Sequence, residues 1–313
     1  MPKSHISQNK WQQALALAEL QGGVLSRAQL LGFDIGYRQI GRECRAGRWR
    51  THGRHTVAVH NGPLSPVALR HHAVWEVGVE IAQLDGVSAL QEAGLKNFTE
   101  DRVFVSVKHN HNTEPLDGVV IKKVIRRVPG EKREAGLPRT VPDVAAIRGA
   151  VWARSDRQAA LIMVMAVQQR LTTSERLLAA SIKVRRRARR AFIHRVALDI
   201  ADGAQSLGEL DFAGLCRTWG LPAPSRQVVR HGPNGRIYLD AAWEGLDWAV
   251  EIDGAHHFWG LTPTEDTFRQ NEVVLAGERV LRMTLIGLRL EPDRFMQQLV
   301  RALTSADSMY SAS

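Results

Sequence analysis

The chain has almost no cysteine. Cys44 and Cys216 are the only two among 313 residues, far apart, with neither a CxxC pair nor a histidine at ligand spacing. That argues against a disulfide framework and structural zinc, and for a reducing compartment. Long apolar runs are missing too: the strongest, AALIMVMAV at 159–167, is far shorter than the ~20 residues of a membrane span. The opening MPKSHISQNKWQQ holds no apolar signal core. A cytoplasmic protein without membrane association is expected. Acid is in short supply, 32 Asp and Glu facing 42 Lys and Arg for a formal charge of +10. A surplus of that sign suits a protein that meets a polyanion. With 44% hydrophobic and 24% charged residues the chain should bury real cores, and its length predicts two or three domains.

Residues 1–62 read as short helices and a hairpin. WQQALALAELQGG is apolar at Leu15, Leu17 and Leu20 and stops at a glycine pair. SRAQLLGF opens on the N-cap Ser26 and is barely two turns long. DIGYRQIGRECRAG turns Ile35, Ile40 and Cys44 inward and Arg38, Arg42 and Arg45 outward. RWRTHGRHTVAVH, with a glycine in mid-hairpin, continues the positive charge through Arg48, Arg50, His52, Arg54 and His55. Short helix, turn, basic helix and hairpin is the order of a winged helix-turn-helix, whose wing lies along a phosphate backbone. DNA is therefore the expected partner; a solvated helix face is the alternative. GGVLSRAQLLGF and CRAGRWRTHGRHTVAV resemble the winged helix of AbiEi-type antitoxins of type IV toxin–antitoxin systems, a resemblance that implies a toxin partner protein.

Residues 63–178 form the expected α/β middle domain. After the turn-rich NGPLSP, ALRHHAVWEVGVEIAQL reads as a helix, RVFVSVKH and GVVIKKVIRR as paired strands, and PRTVPDVAAIRGAV and DRQAALIMVMAVQQRL as helices. His109 and His111, in the polar KHNHN, are either solvated or metal ligands. The segment resembles the middle region that follows the winged helix in antitoxin-like proteins. KVRRRARRAFIHR is expected to lie in a basic linker helix over 179–199, with Arg186 and Arg190 on one face and charge nearly all round. It is either a solvated linker or a phosphate-binding surface.

Residues 200–313 show the clearest order. SLGELDFAGLCRTWG is an amphipathic helix with Leu207, Leu210 and Leu215 inside, and LPAP breaks it. Three strands follow, the first turn marked by Asn234-Gly235. In the third, Trp248, Val250 and Ile252 face one way and Ala249, Glu251 and Asp253 the other. Asp240, on the antiparallel partner, can reach the same surface. A helix DTFRQNEVVLAG, a strand RVLRMT and a closing helix DRFMQQLVRAL complete the pattern. Clustered carboxylates repel one another unless a cation compensates, and hard oxygen ligands suit Mg²⁺ or Mn²⁺.

Helix, three strands, helix, strand is similar to the core of the PD-(D/E)XK nucleases, the restriction-endonuclease-like superfamily. In that resemblance Asp240 takes the aspartate role, Glu251 begins the E-x-K element and Glu209 is the helical acid. The segment also resembles a bacterial family of unknown function related to very-short-patch-repair endonucleases, through Asp240, Trp243, Glu251, Asp253, Gly254, His256, His257, Asp266 and Arg269. The resemblance implies Asp240 and Glu251 as ligands of Mg²⁺ or Mn²⁺, with Glu209, Asp253 and His257 completing the catalytic set. Asp253 stands where the superfamily has lysine, so His257 is expected to orient or deprotonate the water. DNA contacts are expected from Arg38, Arg42, Arg45, Arg48, Arg50, Arg186, Arg190 and Arg269. Plainer readings also exist: Ser206-x-x-Glu209 as a capping box, Asp253-Gly254 as a turn, Asp266 and Arg269 as a surface pair. The expected class is α/β (α+β) and multidomain: a winged helix-turn-helix, an α/β middle domain, and a restriction-endonuclease-like mixed sheet flanked by helices. The expected function is metal-dependent DNA hydrolysis; the alternative is a non-cleaving DNA-binding regulator of antitoxin type.

Overall fold

The computed structural model describes residues 8–133, 135–185, 188–202, 212–232, 235–243, 246, 248–253 and 279–310, with side chains left aside at 202, 226–232, 235–239, 253 and 305–310. The fold is mixed α/β, and the described strands form three sheets, none closed. Two compact units divide it: Met1–Trp152 with Lys183–Arg185, and Ala153–Ile182 with Arg186–Ser313.

The first unit opens with α1 (Gln8–Leu20), β1 (Val24–Ser26), α2 (Arg27–Gly32), α3 (Tyr37–Arg45), β2 (Arg50–His52) and β3 (Thr56–Ala58). The six-residue α2 persists because both ends of its entry are satisfied: Ser26 Oγ accepts from the Gln29 N–H and Gln29 Oε1 accepts from the Ser26 N–H. The three strands pair antiparallel in the order β1-β3-β2. Ala14, Ala18, Leu25, Leu30, Ile35, Ile40, Trp49 and Val57 form the core beneath them, with Trp11 stacked on Trp49 at 5.2 Å. Then come α4 (Pro66–Val77), β4 (Gln83–Leu84), α5 (Gly86–Glu92), β5 (Val103–Lys108), β6 (Val119–Val124), β7 (Lys132–Arg133), β8 (Arg139–Thr140) and α6 (Pro142–Trp152). Their sheet runs β6-β5-β4-β8-β7; the expected strand pair at 103–124 forms, and it is parallel. The sheet carries a buried ionic network. Arg148, on α6, donates to Asp85 Oδ2 at 2.7 Å and to both oxygens of Glu131 at 2.9 and 2.7 Å. Arg127 donates to Glu131 at 3.1 Å and to Ser106 Oγ at 2.8 Å, and Ser106 donates to Asp85 at 2.6 Å. Two guanidiniums thus balance two carboxylates out of water.

The second unit contains α7 (Asp156–Gln168), α8 (Ser174–Lys183), α9 (Arg190–Asp202), α10 (Phe212–Thr218), β9 (Ser225–Gly232), β10 (Gly235–Trp243), β11 (Trp248–Asp253), β12 (Arg279–Thr284), α11 (Leu285–Leu290) and α12 (Pro292–Tyr310). It begins at Ala153, well ahead of the expected boundary at 178, because α7 packs on α9 and α11 through a face that includes Ala159, Ile162, Met163 and Ala166. The basic run corrects a further expectation: 179–199 is not one helix. α8 ends at Lys183, Arg189 takes a left-handed φ of 52°, and α9 starts at Arg190. Two interactions favour the break. Arg189 Nε reaches Asp156 Oδ1 at 2.6 Å and its Nη1 reaches the Ala153 carbonyl at 3.0 Å. The apolar spacing of Ile193, Val196, Ala197 and Ile200 then sets a separate buried face on α9. Asp199, also buried there, accepts both donors of the Arg289 fork from α11. The sheet order is β12-β11-β10-β9, antiparallel except for the parallel β11–β12 pair. No described helix is long and apolar enough to cross a membrane.

Candidate functional site

The acidic hairpin sits in the middle of the second unit's sheet. β10 and β11 pair through Ala241 with Val250, Ala242 with Ala249 and Trp243 with Trp248. Ala241, Trp243, Val250 and Ile252 enter the core with Phe212, Met283, Leu285 and Leu299. The opposite parity places Asp240, Ala242, Ala249 and Glu251 on the other face. Carried on by one pair, the register sets Asp240 against Glu251, where Cβ atoms of facing residues stand about 5 Å apart. Asp240 is half-buried, and its Oδ2 accepts from the Ile252 N–H at 2.7 Å. The carboxylate thereby locks β10 to β11 just beyond the Ala241–Val250 pair. Glu251 is only 8% exposed. Its β12 neighbour in the parallel register is Arg282, whose Nε lies 3.3 Å from Glu251 Oε2.

Two carboxylates on one face, one of them nearly buried, are a donor set that fits a hard divalent cation, which keeps several waters beside one or two carboxylates. Arg282 supplies a second source of positive charge at the same acid. No group of three or more His, Cys, Asp or Glu gathers as a metal site among the described residues. Asp253 lies two positions beyond Glu251 on β11, opposite Thr284 of β12, and its side chain is outside the description. Glu209, His257, Asp266 and Arg269, with His256 and Arg186, lie outside the described residues.

The basic surface belongs to the first unit. Arg38, Arg42 and Arg45 are exposed on α3, while Ile40 and Glu43 are buried on its inner side. Arg50 and Arg54 are exposed along the β2–β3 hairpin. Tyr37, 80% exposed at the start of α3, carries the Arg27 guanidinium over its ring at 5.3 Å. Arg48 is committed elsewhere: its Nε and Nη2 meet Glu43 Oε2 at 2.7 and 2.6 Å. Arg190 is exposed at the start of α9, in the second unit.

The hairpin turn is held from behind. Glu76, on α4, accepts from the N–H groups of Arg54, His55 and Thr56 at 2.7, 2.8 and 2.9 Å and from Thr56 Oγ1 at 2.8 Å. Burial pushes the Glu76 carboxyl up, but the bonds from Thr56, His55 and Arg54 and the nearby His72 outweigh it and hold the group below its ordinary value. Because the Thr56 hydroxyl gives its proton to Glu76, His72 Nδ1, 3.0 Å away, is the donor to Thr56. Gly53 turns with φ 73°, and a Cβ there would stand 2.5 Å from Glu76 Oε2. Only glycine fits. Burial, Arg50, His72 and His60 all lower the pKa of His52, so the hairpin owes its charge at neutral pH to arginine and not to His52. Sequence reading misses Glu76, Arg282 and the Arg27–Tyr37 stack, since each acts on a residue distant in the chain.

Comparison with family models gives no match, and a search of curated proteins gives none. Among solved structures, the crystal structure of the RV2827C protein from Mycobacterium tuberculosis is similar over 64% of this chain and 78% of that one, at 15% identity and a TM-score of 0.36.

Proposed function

We propose that the protein is a metal-dependent DNA endonuclease with a winged helix-turn-helix in its first unit and a restriction-endonuclease-like sheet in its second. The observation that carries the reading is the placement of Asp240 and Glu251, one residue beyond the Ala241–Val250 pair of β10 and β11, on the side of a mixed sheet opposite its Phe212–Leu299 core. The order α1-β1-α2-α3-β2-β3, with exposed arginines on α3 and the hairpin, supports the DNA-binding part. Asp240 and Glu251 would hold Mg²⁺ or Mn²⁺. Such an ion polarises a phosphodiester and lowers the pKa of an attacking water. Arg282, beside Glu251, brings a guanidinium to the same face, where it can pair with phosphate oxygens. His257 is proposed to orient the water, in place of the lysine that Asp253 replaces.

A second reading is favoured by one contact. The Arg282–Glu251 pair compensates the buried acid without any metal, as a non-cleaving regulator of antitoxin type with a toxin partner would require. Plasmid incubated with the protein and Mg²⁺ or Mn²⁺, beside an Asp240→Ala/Glu251→Ala variant, separates the two. Nicking by the wild type alone supports hydrolysis. Equal inactivity of both proteins, with gel-shift binding intact, overturns hydrolysis and leaves the regulator.

A further inference from the structure

At the head of α3 an aromatic ring stands in water. Tyr37 is 80% exposed at the first position of the helix, and the Arg27 guanidinium lies over its ring at 5.3 Å. Arg27 is itself held, its Nε donating to the Arg54 carbonyl at 2.8 Å in the turn between β2 and β3. A residue so exposed cannot have both ring faces covered, so one face is backed by a cation and the other meets solvent. The backing fixes the ring before anything binds, which lowers the ordering cost of a contact made there. The next position on that side of α3, one turn on, is Gly41. Its φ is not left-handed, and a Cβ there would meet no heavy atom within 4 Å among the described residues. Neither backbone nor packing asks for glycine at this point, where it weakens the helix. Its effect is to leave the ring unshielded. Arg38 and Arg42 are exposed along the same helix, and the acid at Asp34 is taken by Lys10 at 2.5 Å.

We propose that Tyr37 is a stacking platform for an unpaired base, with the arginines of α3 and of the hairpin turn holding the neighbouring phosphates, so that this unit engages DNA that carries unpaired nucleotides. In a continuous duplex the bases cover one another's faces and only their edges reach the grooves. The open face of Tyr37 can therefore be matched only by a base that has left its stack. The inference rests on the DNA-binding role of the first unit and adds to it the class of DNA; it does not depend on hydrolysis by the second.

The test is fluorescence anisotropy of the full chain in EDTA, which prevents cleavage, with three labelled DNAs: a single strand of mixed sequence, the same strand fully paired, and the same strand with its bases removed as abasic sites. Tyr37→Ala should weaken single-strand binding about tenfold and leave duplex binding within about twofold of wild type. Tyr37→Phe, which keeps the ring and loses the hydroxyl, should bind the single strand like wild type. The salt slope should be the same in all three proteins, since no charge is removed. Wild type should bind the abasic strand about as weakly as Tyr37→Ala binds the intact one. Equal losses on single strand and duplex would make Tyr37 a groove or backbone contact and overturn the inference, as would no loss on the single strand; the DNA-binding role survives either result. If wild type binds none of the three DNAs, that role falls and the inference with it. Tyr37 projects into water, so Tyr37→Ala takes nothing from the core. Should its thermal midpoint nevertheless shift, the abasic strand decides with unaltered protein: an affinity equal to that for the intact strand overturns the inference.

Discussion

A single carboxylate shapes the basic hairpin of the first unit. Glu76 gathers three backbone donors and a hydroxyl from the β2–β3 turn, an arrangement that favours its ionised form. Since the folded-state pKa is lowered, the stability it contributes is complete above the ordinary carboxylate value of 4.5 and is lost as pH falls through the lowered one. Glu76→Gln should cost about 1–3 kcal/mol at pH 7, and its deficit against wild type should shrink below pH 4.5. Urea unfolding across pH checks both the size and the closing gap. Gly53→Ala strikes the same contact from the other side. It forces a left-handed alanine against Glu76 Oε2 and should destabilise by about 1–3 kcal/mol. A variant as stable as wild type would show that the turn relaxes freely. Neither residue advertises this role in the sequence. Gly53 reads as a hairpin glycine, and Glu76 looks like one more polar position on a helix.

Among the elements, α3 bears the sharpest prediction. If Arg38, Arg42 and Arg45 each neutralise a phosphate, replacing all three by Ala should weaken DNA binding and reduce the log–log salt slope by about 3. Fluorescence anisotropy at several salt concentrations measures it, and an unchanged slope removes α3 from the interface. α3 was legible because Ile40 and the arginines fall on opposite sides of one turn pattern. So was the hairpin at 240–251, where strict alternation separates Trp248, Val250 and Ile252 from Glu251. What alternation cannot disclose is which strand becomes the neighbour. Arg282 meets Glu251 only because β12 runs parallel to β11 in one register, and pairing partners at such separation leave no local trace. The run at 183–195 misled for a related reason. Its arginines suggest one solvated helix, whereas Arg189 leaves the helical conformation to bond with Asp156, a residue far up the chain.

At the scale of the whole molecule, each unit buries its own ion pairs. Arg148 bridges Asp85 and Glu131 in the first unit with Arg127 beside it, and Arg289 holds Asp199 in the second. Arg148→Met leaves buried carboxylates short of a partner and should cost about 3–5 kcal/mol. Hydrogen exchange should quicken in β4, β5 and α6, which surround the pair; unchanged protection there would mean that the network carries little of the stability. The length and composition announced several cores, but not that α7 and α8 would join the later one. Their apolar positions say that they are covered and not by what.

The clasp of Glu76 on the hairpin reaches beyond stability. Amide protons already handed to a carboxylate of the same chain are withheld from any polyelectrolyte that approaches. If DNA is the partner, the tip meets it with side chains such as the Arg50 and Arg54 guanidiniums, stiffened in advance, and contacts made there should answer to ionic strength and not to the order of the bases.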